Sequence, residues 1–188
     1  MTLPRYLLLL VLTPALLPAA APSQASTPAE APTRMLADFR EQIPNAFNYG
    51  TWEGKAALTP AGTLVQGGKG ATGKGELGAS LDQSLDLSTA TYIELGLAVG
   101  VANQVPVVTV AFDDENDVQY SAQIRIDQVL PQQPVWFRVK RSDFKLNDWQ
   151  KKGAKSIDWK NIRKWHLQGD WATEAPFHVV FIAMRTRH

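Results

Sequence analysis

From Met35 onward, apolar and polar residues trade places at every second position. That period of two restricts the chain to strands whose alternate side chains face opposite sides. In 91–99, Ile93, Leu95, Leu97 and Val99 alternate with Tyr92, Glu94, Gly96 and Ala98. The runs 107–112 and 118–126 flank the acidic stretch 113–117 and read as a hairpin with a polar five-residue connection. Placing Phe112 opposite Val118 sets Val110 against Tyr120 and Val108 against Ala122. One face is then apolar, and the other carries Thr109, Gln119, Ser121, Gln123 and Arg125. A slip of one residue would bury that polar row, so the facing is well specified.

Further strands follow at 135–139 and 162–167, where Ile162, Trp165 and Leu167 are the apolar positions. The run 177–184 is apolar on both faces, the pattern of a central strand covered on both sides. Before residue 90, shorter strands are expected at 52–58, 63–66 and 76–81. The total is nine or ten strands with no long helix, and 156–160 reads as one short helical turn. Such a chain is all-β and closes as a two-sheet antiparallel sandwich or a barrel.

The first 25 residues stand apart from this pattern. Arg5 precedes an apolar run from Leu7 to Leu17, and Ser23-Gln24-Ala25 has the small-x-small form of a leader cleavage site, with a second candidate cut after Ala21. The run is shorter than the roughly 20 residues that span a bilayer, and Pro14 and Pro18 interrupt it. The expected organisation is a signal peptide over 1–25, a Pro/Ala-rich linker over 26–34 and one β-sandwich domain over 35–188. The mature chain would be secreted or periplasmic, with no transmembrane segment after cleavage.

Removing Arg5 leaves 18 Lys and Arg, one fewer than 19, against 18 Asp and Glu. A balanced chain lacks the basic excess by which nucleic-acid binders displace counterions, so no nucleic-acid partner is expected. The charge is unevenly spread. Residues 76–127 hold nine acids and one base, and 138–164 hold ten bases and three acids. This segregation fits two solvated surfaces of opposite sign, or a basic patch for an anionic polymer or membrane surface. There is no cysteine, which excludes disulfides, a thiol nucleophile and Cys-based zinc sites.

The motifs that suggest catalysis or cofactors fail on context. Residues 68–74 match phosphate-loop patterns, but Gly75 and Gly78 follow at once, and the pattern works only where the loop opens a helix. The 113–117 run lacks the Gly and distal Glu of a calcium-binding EF-hand loop and reads as a solvated turn. His166 and His178, on separate strands, read as sheet residues rather than metal ligands. No serine sits in a G-x-S-x-G elbow. Glu94 is the one acid placed within a strand at a solvent-facing position, too few for a glycosidase carboxylate pair. No catalytic residue, cofactor or metal is expected. Six tryptophans remain, five of them within 136–171, and some are candidates for stacking on sugar rings.

Several short landmarks occur in succession. They are Asp38-Phe39; Leu85-Asp86-Leu87-Ser88-Thr89-Ala90-Thr91-Tyr92-Ile93-Glu94-Leu95; Val108-Thr109-Val110-Ala111-Phe112-Asp113 leading to Val118-Gln119-Tyr120; Trp136-Phe137-Arg138-Val139 leading to Ser142-Asp143-Phe144; and Ile157-Asp158-Trp159-Lys160-Asn161-Ile162. Across about residues 35–186 this succession resembles the galactose-binding-like jelly roll, which includes glucan-binding carbohydrate-binding modules and the complex I intermediate-associated protein domain. The resemblance implies a jelly-roll sandwich and a binding role without catalysis. Family members often carry a last-strand Asp beside a structural Ca²⁺, and 177–182 has none.

The expected function is binding of an extracellular or periplasmic glycan. The alternative is an envelope assembly protein that uses the same fold for a protein partner. In such a sandwich the strand at 161–168 should lie beside the 107–126 hairpin. His166 and Gln168 would then join Thr109, Gln119, Gln123 and Arg125 on one polar face, suited to hydroxyls or an acidic sugar, with Trp171 as the stacking ring. The leader makes its own test. N-terminal sequencing of exported material should begin near Ser26, and a retained Met1 in the membrane fraction would refute cleavage.

Overall fold

The computed structural model describes residues 32–42, 47–147, 150 and 156–188. The expected leader over 1–25 and most of the expected linker lie outside these residues. Twelve strands form two antiparallel six-stranded sheets. The first sheet holds β1 (Thr33–Asp38), β3 (Ala56–Thr59), β4 (Gly62–Val65), β6 (Tyr92–Val99), β9 (Pro134–Lys140) and β12 (Val179–Arg187), in the order β3-β4-β12-β6-β9. β1 pairs with the far half of β12. The second sheet holds β2 (Phe47–Gly50), β5 (Gly75–Leu85), β7 (Val107–Asp114), β8 (Gln119–Arg125), β10 (Lys145–Leu146) and β11 (Ile162–Gln168), in the order β10-β8-β7-β11-β5-β2. The helical segments among the described residues are the 3₁₀ turns 67–69 and 141–143 and Gln150, and no helix is long and apolar enough to cross a membrane.

The hairpin keeps the expected facing with a register two residues further along. Phe112 opposes Tyr120, Val110 opposes Ala122 and Val108 opposes Ile124. The turn chemistry explains the shift. Asp114 accepts hydrogen bonds from the amides of Asn116 (2.8 Å) and Val118 (3.0 Å), so the strand runs on to Asp114 and the connection tightens. Asp117 there adopts a left-handed φ of 57°, which Asp tolerates. A shift of two preserves every side chain's face because the strand period is two.

Other boundaries differ. Thr33 and Arg34, expected in the linker, are strand residues paired with Arg187 and Thr186. Residues 51–55 are turn, not strand, and 156–160 forms no helix. β1, β2 and β10 have no counterpart among the expected strands, and β2 and β10 are short and carry too little alternation to show.

The core lies between the sheets. Trp52 is fully buried, its Nε1–H donating to the Thr72 carbonyl at 2.7 Å and its ring stacked on Phe177 at 4.4 Å. Gly75 has no side chain for a reason: a Cβ there would overlap the Trp52 ring. Phe39, Phe181 and Trp165 continue the aromatic layer, and Phe112, Phe144 and Trp159 form a second one. Trp52→Ala removes a fully buried ring and its hydrogen bond to the Thr72 carbonyl, so urea unfolding should show a loss of about 3–5 kcal/mol. Trp171→Ala, at an exposed ring, should stay within about 0.5 kcal/mol.

Candidate functional site

The outer face of the second sheet is set by register. Gln123 of β8, Thr109 of β7, Gln168 of β11, Glu76 of β5 and Tyr49 of β2 stand in one cross-strand row. The next row carries Ser121, Ala111, His166 and Gly78, and the one after it Gln119, Asp113, Lys164 and Ser80. Six of the seven expected residues, Thr109, Gln119, Gln123, Arg125, His166 and Gln168, therefore share this face. Their alternate neighbours Val108, Val110, Trp165 and Leu167 are buried in the core.

The middle of the face is a buried network rather than an open row. His166 donates from Nδ1 to Glu76 Oε1 at 2.5 Å, and its Nε2 lies 3.1 Å from Asp113 Oδ2. Gln168 donates to the other Glu76 oxygen at 3.0 Å, and Gln119 donates to Asp113 Oδ1 at 2.7 Å. Asn147 bonds to both Gln119 and Ser121. Burial of His166 disfavours its charged form. The hydrogen bonds and charges of Asp113 and Glu76 more than offset this, and its pKa is pushed up to about 9.

Two expected residues fall outside this network. Arg125 stands at the corner of the sheet, opposite Val107, and pairs with Asp127. Trp171 is 47% exposed at the end of the sheet, where its Cη2 lies 3.2 Å from the position of a Cβ on Gly50. Gly50 has φ of +64° and directly follows Tyr49, which is also exposed. The two rings thus lie at the same end of the face, next to the Gln168–Glu76 row.

Sequence reasoning missed Glu76, Asp113 and Tyr49. The first two sit at outward positions of strands, but only the pairing of β11 between β5 and β7 brings them to His166. Glu94, expected to face solvent, is 1% exposed on the outer face of the first sheet, beneath Arg138, Arg185 and Arg187. His178 is remote from His166, packed over Gly100 at the end of the first sheet. The phosphate-loop pattern at 68–74 forms a 3₁₀ turn and a loop, not the start of an α-helix.

No protein-family model matches the chain, and no curated protein matches it. Solved structures do. The chain is similar to the family 11 carbohydrate-binding module from Clostridium thermocellum in complex with a β-1,3-1,4-mixed-linked tetrasaccharide, with 23% identity and a TM-score of 0.56, covering 82% of this chain and 94% of that one. A solution structure of that module gives 19% identity and a TM-score of 0.55 over 85% and 96%. The agarase AgWH50C matches with 16% identity and a TM-score of 0.60 over 82% of this chain, which spans only 24% of the agarase. At these identities the likeness is one of fold. The chain has a two-sheet jelly-roll sandwich fold, similar to that of the family 11 module.

The His166 network gives a pH signature. Its folded-state pKa lies above the ordinary value near 6.5, so its stabilising contribution is complete below about pH 6.5 and is lost as pH rises through about 9. NMR titration should place the His166 midpoint near 9. The unfolding free energy should fall across pH 6.5 to 9, and His166→Asn should flatten that slope.

Proposed function

We propose that the chain is an exported, non-catalytic polysaccharide-binding domain, and that a neutral glycan lies across the outer face of the second sheet. The observation that carries this reading is the row Gln123–Thr109–Gln168, with amide and hydroxyl groups in register, ending beside the Tyr49 and Trp171 rings. Amides both donate and accept, which suits sugar hydroxyls, and an exposed ring stacks on the C–H face of a pyranose. The jelly-roll likeness to a carbohydrate-binding module adds support. The leader pattern over 1–25 supports export.

Neutrality follows from the charges. One imidazolium stands between two carboxylates, and Arg125 is tied to Asp127. Lys164, in the same row as Asp113, pairs with Asp117, so the face carries no cationic excess that would favour an acidic sugar. A binding role also fits the way these acids are used. Glu76 and Asp113 each accept from His166 and from an amide side chain, an arrangement that holds the face rigid.

Affinity electrophoresis through mixed-linkage β-1,3-1,4-glucan, agarose and alginate tests this. The protein should be retarded by a neutral polymer and not by alginate. Gln123→Ala combined with Gln168→Ala should weaken that retardation at least tenfold, as should Trp171→Ala, with stability changes within about 0.5 kcal/mol for the exposed Trp171 and Gln123. Retardation unchanged by both variants would remove this face as the site.

A further inference from the structure

The apolar run 177–184 was expected to be covered on both faces, and the structure covers it on one. β12 buries Val179, Phe181 and Met184 in the core, while Val180 and Ile182 stand half-buried on the outer face of the first sheet. Register places Leu64 and Ala98 on either side of Val180, with Pro134 beyond Ala98. These residues floor a trough of about 600 Å³, walled by the β3–β4 turn on one side and Trp136 on the other. That volume lies within the range of small-molecule sites, roughly 300–1,000 Å³. Its polar groups, Arg40, Gln132 and His178, are few beside its apolar lining.

The trough runs toward a cationic end. Along β12, Val180 and Ile182 give way to Arg185 and Arg187; along β9, Pro134 and Trp136 give way to Arg138. Three guanidinium groups surround the single carboxylate of Glu94, at 2.9 Å for Arg138, 2.6 Å for Arg185 and 3.0 Å for Arg187. Burial works against the charge on Glu94, but the hydrogen bonds from Arg185 and Arg138 outweigh it and hold its carboxyl below the ordinary range. Arg138 and Arg185 alone bring two positive charges to the one negative charge of Glu94. Arg138 and Arg185 each meet Glu94 through Nε–H, one of the five N–H donors of a guanidinium. Trp136 joins the two regions. Its ring lies over Gly96, where a Cβ would stand 3.1 Å from it, and the Arg185 Cζ is 4.0 Å from its centroid.

We propose that this outer face is a second binding site, for a single-chain anionic amphiphile whose tail fills the trough and whose head meets Arg138 and Arg185. Four residue steps along β6, from Ala98 to Glu94, separate the trough floor from the cluster, roughly 13 Å at the rise of a strand. An alkyl tail needs no hydrogen bonds along that path. A peptide backbone or a sugar laid in the same trough would lose water from polar groups that Leu64, Val180, Ile182 and Ala98 cannot replace. Planar guanidinium groups match the paired oxygens of a carboxylate or phosphate head. The site is independent of the polar face of the other sheet.

Isothermal titration of the leader-free protein with laurate, below its micelle concentration, tests the assignment. Laurate should bind with one-to-one stoichiometry. Dodecyl maltoside, with the same tail and a neutral head, should bind at least tenfold more weakly, and acetate should give no heat. Ile182→Glu should abolish laurate binding, and Arg138→Gln and Trp136→Ala, both at exposed positions of an edge strand, should each weaken it several-fold while retardation by a neutral glycan is unchanged. If Ile182→Glu fails to fold, the two edge-strand variants decide the matter. No laurate binding, equal affinity for the neutral surfactant, or affinity indifferent to Arg138→Gln and Trp136→Ala would overturn the proposal and leave the glycan reading standing.

Discussion

Strands β11 and β12 are hydrogen-bonded to neighbours along both edges, β5 and β7 for the one, and β6 with β1 and β4 for the other. A strand held this way cannot slip without breaking two ladders. Its alternate residues must divide between the shared core and an outer face. Trp165 and Leu167 go inward from β11, as Val179, Phe181 and Met184 do from β12, and the aromatic layer around Trp52 and Phe177 fills the space between. The outer residues are then placed by subtraction. His166 and Gln168 have to appear on one side of the molecule, and Val180, Ile182, Arg185 and Arg187 on the other.

Most of that division was readable in the alternation of residues 91–126, because a period of two states facing whatever the exact register. The hairpin shows the limit. Facing was right and register was off by two, because the Asp114 carboxylate caps the turn through three backbone amides, those of Asn116, Val118 and Asp158. The last of these donors is contributed from 44 residues away, so no local pattern reports it. Trp52 is a similar case. An apolar residue beside 56–59 looks like strand, but the ring is placed by its bond to Thr72 and by the space left at Gly75, both tertiary facts.

Glu94 and the 177–184 run failed for a different reason. Alternation says that a residue points away from the core; it does not say what meets it there. Glu94 points outward and is still buried, because β9 and β12 each bring arginines against it. The second apolar stripe of β12 reads as the sign of a covering layer, yet among the described residues nothing covers it but its own flanking strands and the β3–β4 turn. Outward stripes on central strands depend on partners that are distant in sequence or outside the chain.

The two outer faces solve one electrostatic problem with opposite signs. Each buries a charge of the minority kind and surrounds it with the majority. On the second sheet, one imidazolium is held between Glu76 and Asp113; on the first, one carboxylate is held among Arg138, Arg185 and Arg187. A buried charge left without its partners is costly, which fixes both clusters in place. The surplus is what a ligand meets. It is positive beside the apolar trough, whereas beside the amide row Lys164 pairs with Asp117 and no cationic surplus remains. An anion is therefore favoured only where an alkyl chain finds an apolar floor. The charge segregation between 76–127 and 138–164 is the trace of this arrangement in the sequence, since the first segment supplies Glu76 and Asp113 and the second supplies Arg138. Arg185 and Arg187, which complete the cationic cluster, come from the last strand, and only the pairing of β12 with β6 brings them to Glu94.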